Sequence, residues 1–135
     1  MPDAIQHHNP DGLFKSPAFS QVVTTQGPGK TIYIGGQNAV NASGDIVGGG
    51  DIALQTDQAM RNLLTALAHC GATFADVVKV SVYLVHGQDV RRAYQAAQKH
   101  MANQGPPPVV TGLMVAALAN PGFLVEIEAI AYLPA

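Results

Sequence analysis

The stretch from Gly122 to Leu133, Gly-Phe-Leu-Val-Glu-Ile-Glu-Ala-Ile-Ala-Tyr-Leu, constrains the fold more than any other part of the chain. Phe, Val, Ile and Tyr favour a pleated surface and nothing inside the run breaks it, so it is expected to form a long strand. Side chains alternate across a strand. Phe123, Val125, Ile127, Ala129 and Ala131 therefore line one side, and Leu124, Glu126, Glu128, Ile130 and Tyr132 the other. The first side is wholly apolar and needs helices packed on it. The second carries two carboxylates among Leu, Ile and Tyr, a composition unsuited to open water. Glu126 and Glu128 then lie in a partly dry place, where each needs a partner or a function. On pattern alone, satisfaction by backbone or a nearby cation is the commoner explanation of such charges.

A chain of 135 residues is expected to form a single domain over 1–135, large enough for a real core. With 47% hydrophobic and only 12% charged residues, it has little polar surface with which to clothe a monomer. No apolar run approaches the ~20 residues of a membrane span, and Met1 to His8 lacks the regions of a signal peptide. The lone Cys70 excludes an intrachain disulfide and fits a reducing cytoplasm. The net charge of −2, with scattered Lys and Arg, leaves no basic footprint for nucleic acid.

Residues 1–18 are rich in turn formers and are expected to be an arm with little regular structure. Phe19 to Thr25 is a first strand, Gly27-Pro28-Gly29 a turn, and Lys30 to Gly36 a second strand paired with the first as a hairpin. The tandem Gly35-Gly36 permits close approach to the backbone. Asp51 can cap a helix to about Cys70, with Ile52, Ala59, Met60, Leu63, Leu64 and Leu67 at helical spacing and Gly71 ending it. Val77 to Val85 is a strand, apolar on both faces except at Lys79 and Ser81. A second helix runs from Gly87-Gln88-Asp89 to about Met101, with Val90, Tyr94, Ala97 and Met101 inward. Beyond Gly105-Pro106-Pro107-Pro108 comes a strand from Val109 to Ala119, and Asn120-Pro121-Gly122 turns into the last one. Two helices cover one face of such a sheet, so the other face implies self-association.

The five histidines show no ligand spacing and there is no Cys pair, so neither a metal nor another cofactor is expected. Gly48-Gly49-Gly50 lacks the Lys-Ser/Thr of a phosphate-binding loop. Cys70 and His69 are adjacent on a helix and point apart, which makes Cys70 a packing residue. Arg91 stands in the first turn of the second helix, where the macrodipole disfavours a cation. A solvated side chain, an ion pair with Asp89 and a binding role all account for it.

Val115-Ala116-Ala117-Leu118, a short gap and then Leu124 to Ala131 resemble the signature of the YjgF/RidA family, and Phe19-Ser20-Gln21 and Gly36-Gln37 are similar to it as well. The resemblance extends over the chain after residue 15. It implies a chorismate-mutase-like α+β fold, a sheet with two helices on one face, assembled as a homotrimer with clefts between subunits. It also implies hydrolysis of reactive imines and enamines, in which water adds to a C=N carbon and a proton passes to nitrogen. Carried over by motif, Glu126 is the acid/base, at a position whose burial would suit it to that work. Phe19, Gly36, Gln37, Arg91, Val110, Thr111 and Gly112 are the substrate-binding positions, with the Gly36 backbone and the Gly112 carbonyl holding substrate and water.

Val110, in Pro108-Val109-Val110-Thr111, stands where imino-acid deaminases of the family carry an arginine that grips the substrate carboxylate. Phe19 replaces a tyrosine, and Arg91 an asparagine. A carboxylate buried against Val110 would lack a partner, which speaks against a simple 2-imino acid unless Arg91 supplies the charge. Three readings stand: a Rid-type hydrolase of a small imine, enamine or related carbonyl compound; a non-enzymatic ligand-binding or regulatory trimer; and an endoribonuclease, which the charge balance disfavours. The expected partners are two further copies and a small molecule, with no nucleic acid or membrane.

Overall fold

The computed structural model describes residues 3–135; Met1 and Pro2, the start of the expected arm, lie outside the described residues. Six strands and two α-helices follow in the order β1 (Ile5–His8), β2 (Val22–Thr25), β3 (Gly29–Gln37), α1 (Ile52–His69), β4 (Val77–Val85), α2 (Val90–Met101), β5 (Val109–Val115) and β6 (Val125–Pro134). A short 3-10 turn, Phe74–Asp76, precedes β4. The main sheet has the order β3-β6-β4-β5, so the strand that ends the chain sits inside it. β6 is antiparallel to both neighbours, whereas β4 and β5 are parallel and joined through α2, as a parallel pair requires a crossover.

The alternation read from β6 holds. Val125, Ile127, Ala129 and Ala131 are buried beneath the helices with Ile32, Ile34, Val80 and Leu84, while Met60, Leu63 and Leu67 of α1 close the core from above. Asp51 caps α1 by accepting from the backbone N–H groups of Ala53 and Leu54, and Asp89 caps α2 in the same way through Arg91 and Arg92. Gly71, at φ +77°, takes the chain out of α1. The side chain of Gln55, fully buried on α1, donates to the carbonyls of Gly49 and Gly122 and accepts from the Leu124 N–H at 2.9 Å. It thereby fixes where β6 begins.

Four expectations need correction. β2 does not form a hairpin with β3; it pairs with β1, Ile5 opposite Thr25 and His8 opposite Val22. The arm therefore contains a strand, because the unpaired edge of β2 finds its partner there rather than across the nearby turn. β5 ends at Val115, since Ala116, Ala117 and Ala119 are weak strand formers. Finally, α2 buries Ala93 and Ala96, while Val90 and Tyr94 stay 56% and 45% exposed. The helix packs on α1 and leaves a space above β4 and β5.

Candidate functional site

Residues on the helix-free face follow from register. Glu126 lies opposite Tyr83, Glu128 opposite Ser81, and Ser81 in turn opposite Thr111. This side of the sheet gathers Lys79, Ser81, Tyr83, Glu126, Glu128 and Tyr33. The last is 78% exposed.

Glu126 is held over the end of β3. The β3–β6 register shifts between Ile34 and Gln37, a bulge made by Gly35 and Gly36. The carboxylate of Glu126 occupies the place a side chain on Gly36 would take: a Cβ there would lie 2.6 Å from the Glu126 Cδ. The other oxygen, Oε1, accepts from the Asn38 amide at 3.2 Å. Asn38 also donates to the Val125 carbonyl at 3.0 Å. Its own carbonyl accepts from the Asn62 amide of α1, which bonds the Val40 carbonyl too, each at 2.9 Å. A chain of amides thus runs from α1 through Asn38 to the carboxylate. The amide of Gln37 turns back to the Gly35 carbonyl at 3.1 Å, which braces the bulge.

Glu128 has a different partner. The Tyr83 hydroxyl donates to it at 2.7 Å. That hydrogen bond, then burial and the charge of Glu128, hold the Tyr83 phenol above its ordinary range, with Ser81 acting in the opposite sense. Glu126 therefore keeps neutral amide company, while its neighbour is tied to a phenol.

The remaining expected positions lie elsewhere. Val110 and Gly112 pair with Val80 and Val82 and so face the helices, on the opposite side of the sheet from Glu126. With Phe19 they line a cavity of about 470 Å³ between α2, β4 and β5. Phe19 reaches it because Ser20 donates to the Pro108 carbonyl through its backbone N–H at 3.0 Å. Arg91 is exposed on the first turn of α2 and lines no part of this cavity. Its guanidinium meets no carboxylate among the described residues; Arg92, its neighbour, pairs with Asp51 at 3.2 Å. Within one chain, then, Gly36, Gln37 and Glu126 come together, Phe19, Val110 and Gly112 come together, Thr111 lies opposite Ser81 on the Glu126 side of the sheet, and Arg91 joins neither group.

Sequence reasoning missed Asn38, Asn62 and Tyr83. Tyr83 carried a signal, being two residues beyond Ser81 and thus on the polar side of β4. Asn38 and Asn62 carried none, because only the tertiary fold brings α1 to the end of β3. No group of three or more His, Cys, Asp or Glu able to hold a metal occurs among the described residues. None of their helices is long and apolar enough to cross a membrane.

Residues 14–133 match the family described as Endoribonuclease L-PSP. The 2-iminobutanoate/2-iminopropanoate deaminase of Rattus norvegicus is 36% identical over 115 residues, spanning 84% of this chain and 79% of that protein. Among solved structures, the conserved Rid-family protein YyfB from Yersinia pestis superposes with a TM-score of 0.85 at 35% identity, over 97% of this chain and all of that one (100%). RidA from the Antarctic bacterium Psychrobacter sp. PAMC 21119 gives 0.69 at 26% identity, over 98% and 100%. The α+β arrangement of sheet and paired helices is thus one shared with Rid proteins, and the chain belongs to the Endoribonuclease L-PSP family, that is, the YjgF/RidA family.

Proposed function

We propose that the protein is a Rid-type deaminase that hydrolyses a small imine or enamine, with Glu126 as acid/base at a cleft between the subunits of a homotrimer. The observation that carries this reading is the posture of Glu126, one oxygen held by Asn38 and the other laid over the bare backbone of Gly36. A carboxylate fixed by a neutral amide beside an open glycine can orient water without being neutralised by a cation. The relative from rat, named for its action on 2-imino acids, supports the reaction class.

In the first step the Glu126 carboxylate takes a proton from water as the water oxygen bonds to the C=N carbon. The π electrons pass to nitrogen, which receives that proton from Glu126. In the second step Glu126 takes the hydroxyl proton of the carbinolamine while the C–N bond breaks, and delivers it to the departing nitrogen. Ammonia leaves, a carbonyl compound remains, and Glu126 returns to its starting state.

The intersubunit placement rests on geometry. Val110 and Gly112 lie across the sheet from Glu126 in the same chain, so these positions can share a cleft only when contributed by two copies. The exposed Tyr33 and Leu113 suit a surface that a neighbour covers. A second reading, a ligand-binding trimer without turnover, draws on the apolar cavity, which contains no charged side chain. Ammonia release from imines generated in the assay separates the two. We expect turnover that falls at least ~100-fold in Glu126→Gln, the scale of lost acid–base catalysis. Full activity in that variant would remove Glu126 from the reaction, and no turnover of any imine would favour the binder.

A further inference from the structure

Val90, Tyr94, Ala97 and Met101 form one apolar stripe of α2, yet the stripe overhangs empty space instead of resting on β4 and β5. Beneath it lie Val80, Val82 and Leu84, with Met60 and Thr56 of α1 at the back. A volume of about 470 Å³ falls within the range of small-molecule sites and is far beyond an ordinary packing defect. The lining is aliphatic, aromatic and prolyl with a few neutral polar groups (Thr56, Gln98, Gln104), and no Asp, Glu, Lys, Arg or His borders it. The Thr56 hydroxyl is buried without a hydrogen-bond partner. Two positions on β5 keep the space open. Gly112 has nothing within 4 Å of where its Cβ would stand, and Val110 is too short to cross the gap.

We propose that this cavity is a binding site for an uncharged, mainly apolar small molecule, and that it selects the apolar body of the substrate while rejecting a carboxylate. The second clause rests on the deaminase reading; the first does not. Transfer of a carboxylate into such a lining leaves it without a cation or a set of donors, a penalty that an apolar body of equal size escapes. Apolar surface on the ligand instead replaces water against the Val, Leu, Met and Phe walls. The exposed rim is formed by Val110 and Met114 of the edge strand β5 and by Tyr94 of α2, so a ligand seated there presents its free end outward, toward an adjoining copy.

Indole and indole-3-carboxylate differ by the charge at issue and serve as probes in calorimetric titrations of the full chain. The wild type is expected to bind indole at least ~10-fold more tightly than the carboxylate. Gly112→Val projects two methyl groups into the cavity and should weaken indole at least ~10-fold. Ala97→Leu fills the same space from the helix side and gives an independent reading should the glycine variant fold poorly. Val110→Arg places a cation at the rim and should reverse the preference. Absence of indole binding, equal or better binding of the carboxylate, or indifference to both filling variants would overturn the proposal, including the case in which a neighbouring copy fills the cavity. Indole binding without turnover of any imine leaves the site standing and removes the deaminase. Turnover without indole binding does the converse.

Discussion

Glu126 and Gly36 compete for one volume: the carboxylate lies where any side chain at Gly36 would begin. Gly36→Ala therefore cannot be accommodated with Glu126 in place. The colliding group is the far end of a flexible side chain, so Glu126 swings aside and the fold survives. We expect a stability change within ~1 kcal/mol and a loss of turnover near 100-fold, as for a misplaced catalytic group. A calorimetric melt and the ammonia assay check both. Unchanged turnover would show that the posture of the carboxylate is irrelevant.

Asn38 positions that carboxylate, and Asn62 positions Asn38. Asn38→Ala frees Glu126 and also removes a donor from the Val125 carbonyl, at a cost of about 1 kcal/mol for a lost hydrogen bond. Asn62→Ala leaves the carbonyls of Asn38 and Val40 without that donor and should act through the same chain more weakly. The expected pattern is lower kcat with KM little changed in both variants, larger in Asn38→Ala. A rise in KM alone would assign these amides to substrate binding instead.

Asp57 sets an acid limit on stability. Burial alone would raise its carboxyl, but hydrogen bonds from His100 and Arg61 outweigh it and hold the group below the ordinary carboxylate range. The His100 contact, at 2.7 Å, ties α2 to α1. A carboxyl depressed in the folded state stabilises above its unfolded pKa, and that contribution fades as pH falls through the folded value. Urea unfolding of the wild type and of Asp57→Asn should therefore differ most near neutrality and converge in strong acid. A gap that widens below pH ~3 would reverse the assigned sign.

Elements whose causes are local were legible in the sequence. β4 matches its expected bounds because a valine-rich run with no Gly or Pro inside it needs no partner to be recognised, and Asp51 and Asp89 announce their helices by capping chemistry. The two faces of β6 follow from alternation alone. Pairing was not legible: Gly27-Pro28-Gly29 looks like a hairpin turn, yet β2 takes Ile5–His8 as its partner, a choice made by the rest of the fold. The same holds at the site. Gly36 announced a close approach, but what approaches it is a residue ninety positions away. The stripe on α2 has helical spacing whether it meets a core or a cavity, so spacing could not reveal the space beneath it.

The helix-free face provides the last test. Tyr33 stands 78% exposed on β3, opposite Ile130, on the side that carries Glu126 and Glu128. If copies of the chain pack through this face, Tyr33 becomes buried and a charge in its place must be desolvated, at a cost of several kcal/mol per ion. In the isolated chain the same substitution sits in water and should cost within ~0.5 kcal/mol. Tyr33→Glu, which also brings a third carboxylate toward Glu126 and Glu128, is therefore expected to divide assembly from folding. Light scattering should give a trimer for the wild type at micromolar concentration and a monomer for the variant, with far-ultraviolet circular dichroism unchanged. Turnover should disappear with the trimer, because Glu126 would lose the neighbouring β5. A monomeric wild type, or a variant that stays trimeric and active, would place the contact between copies elsewhere on the molecule.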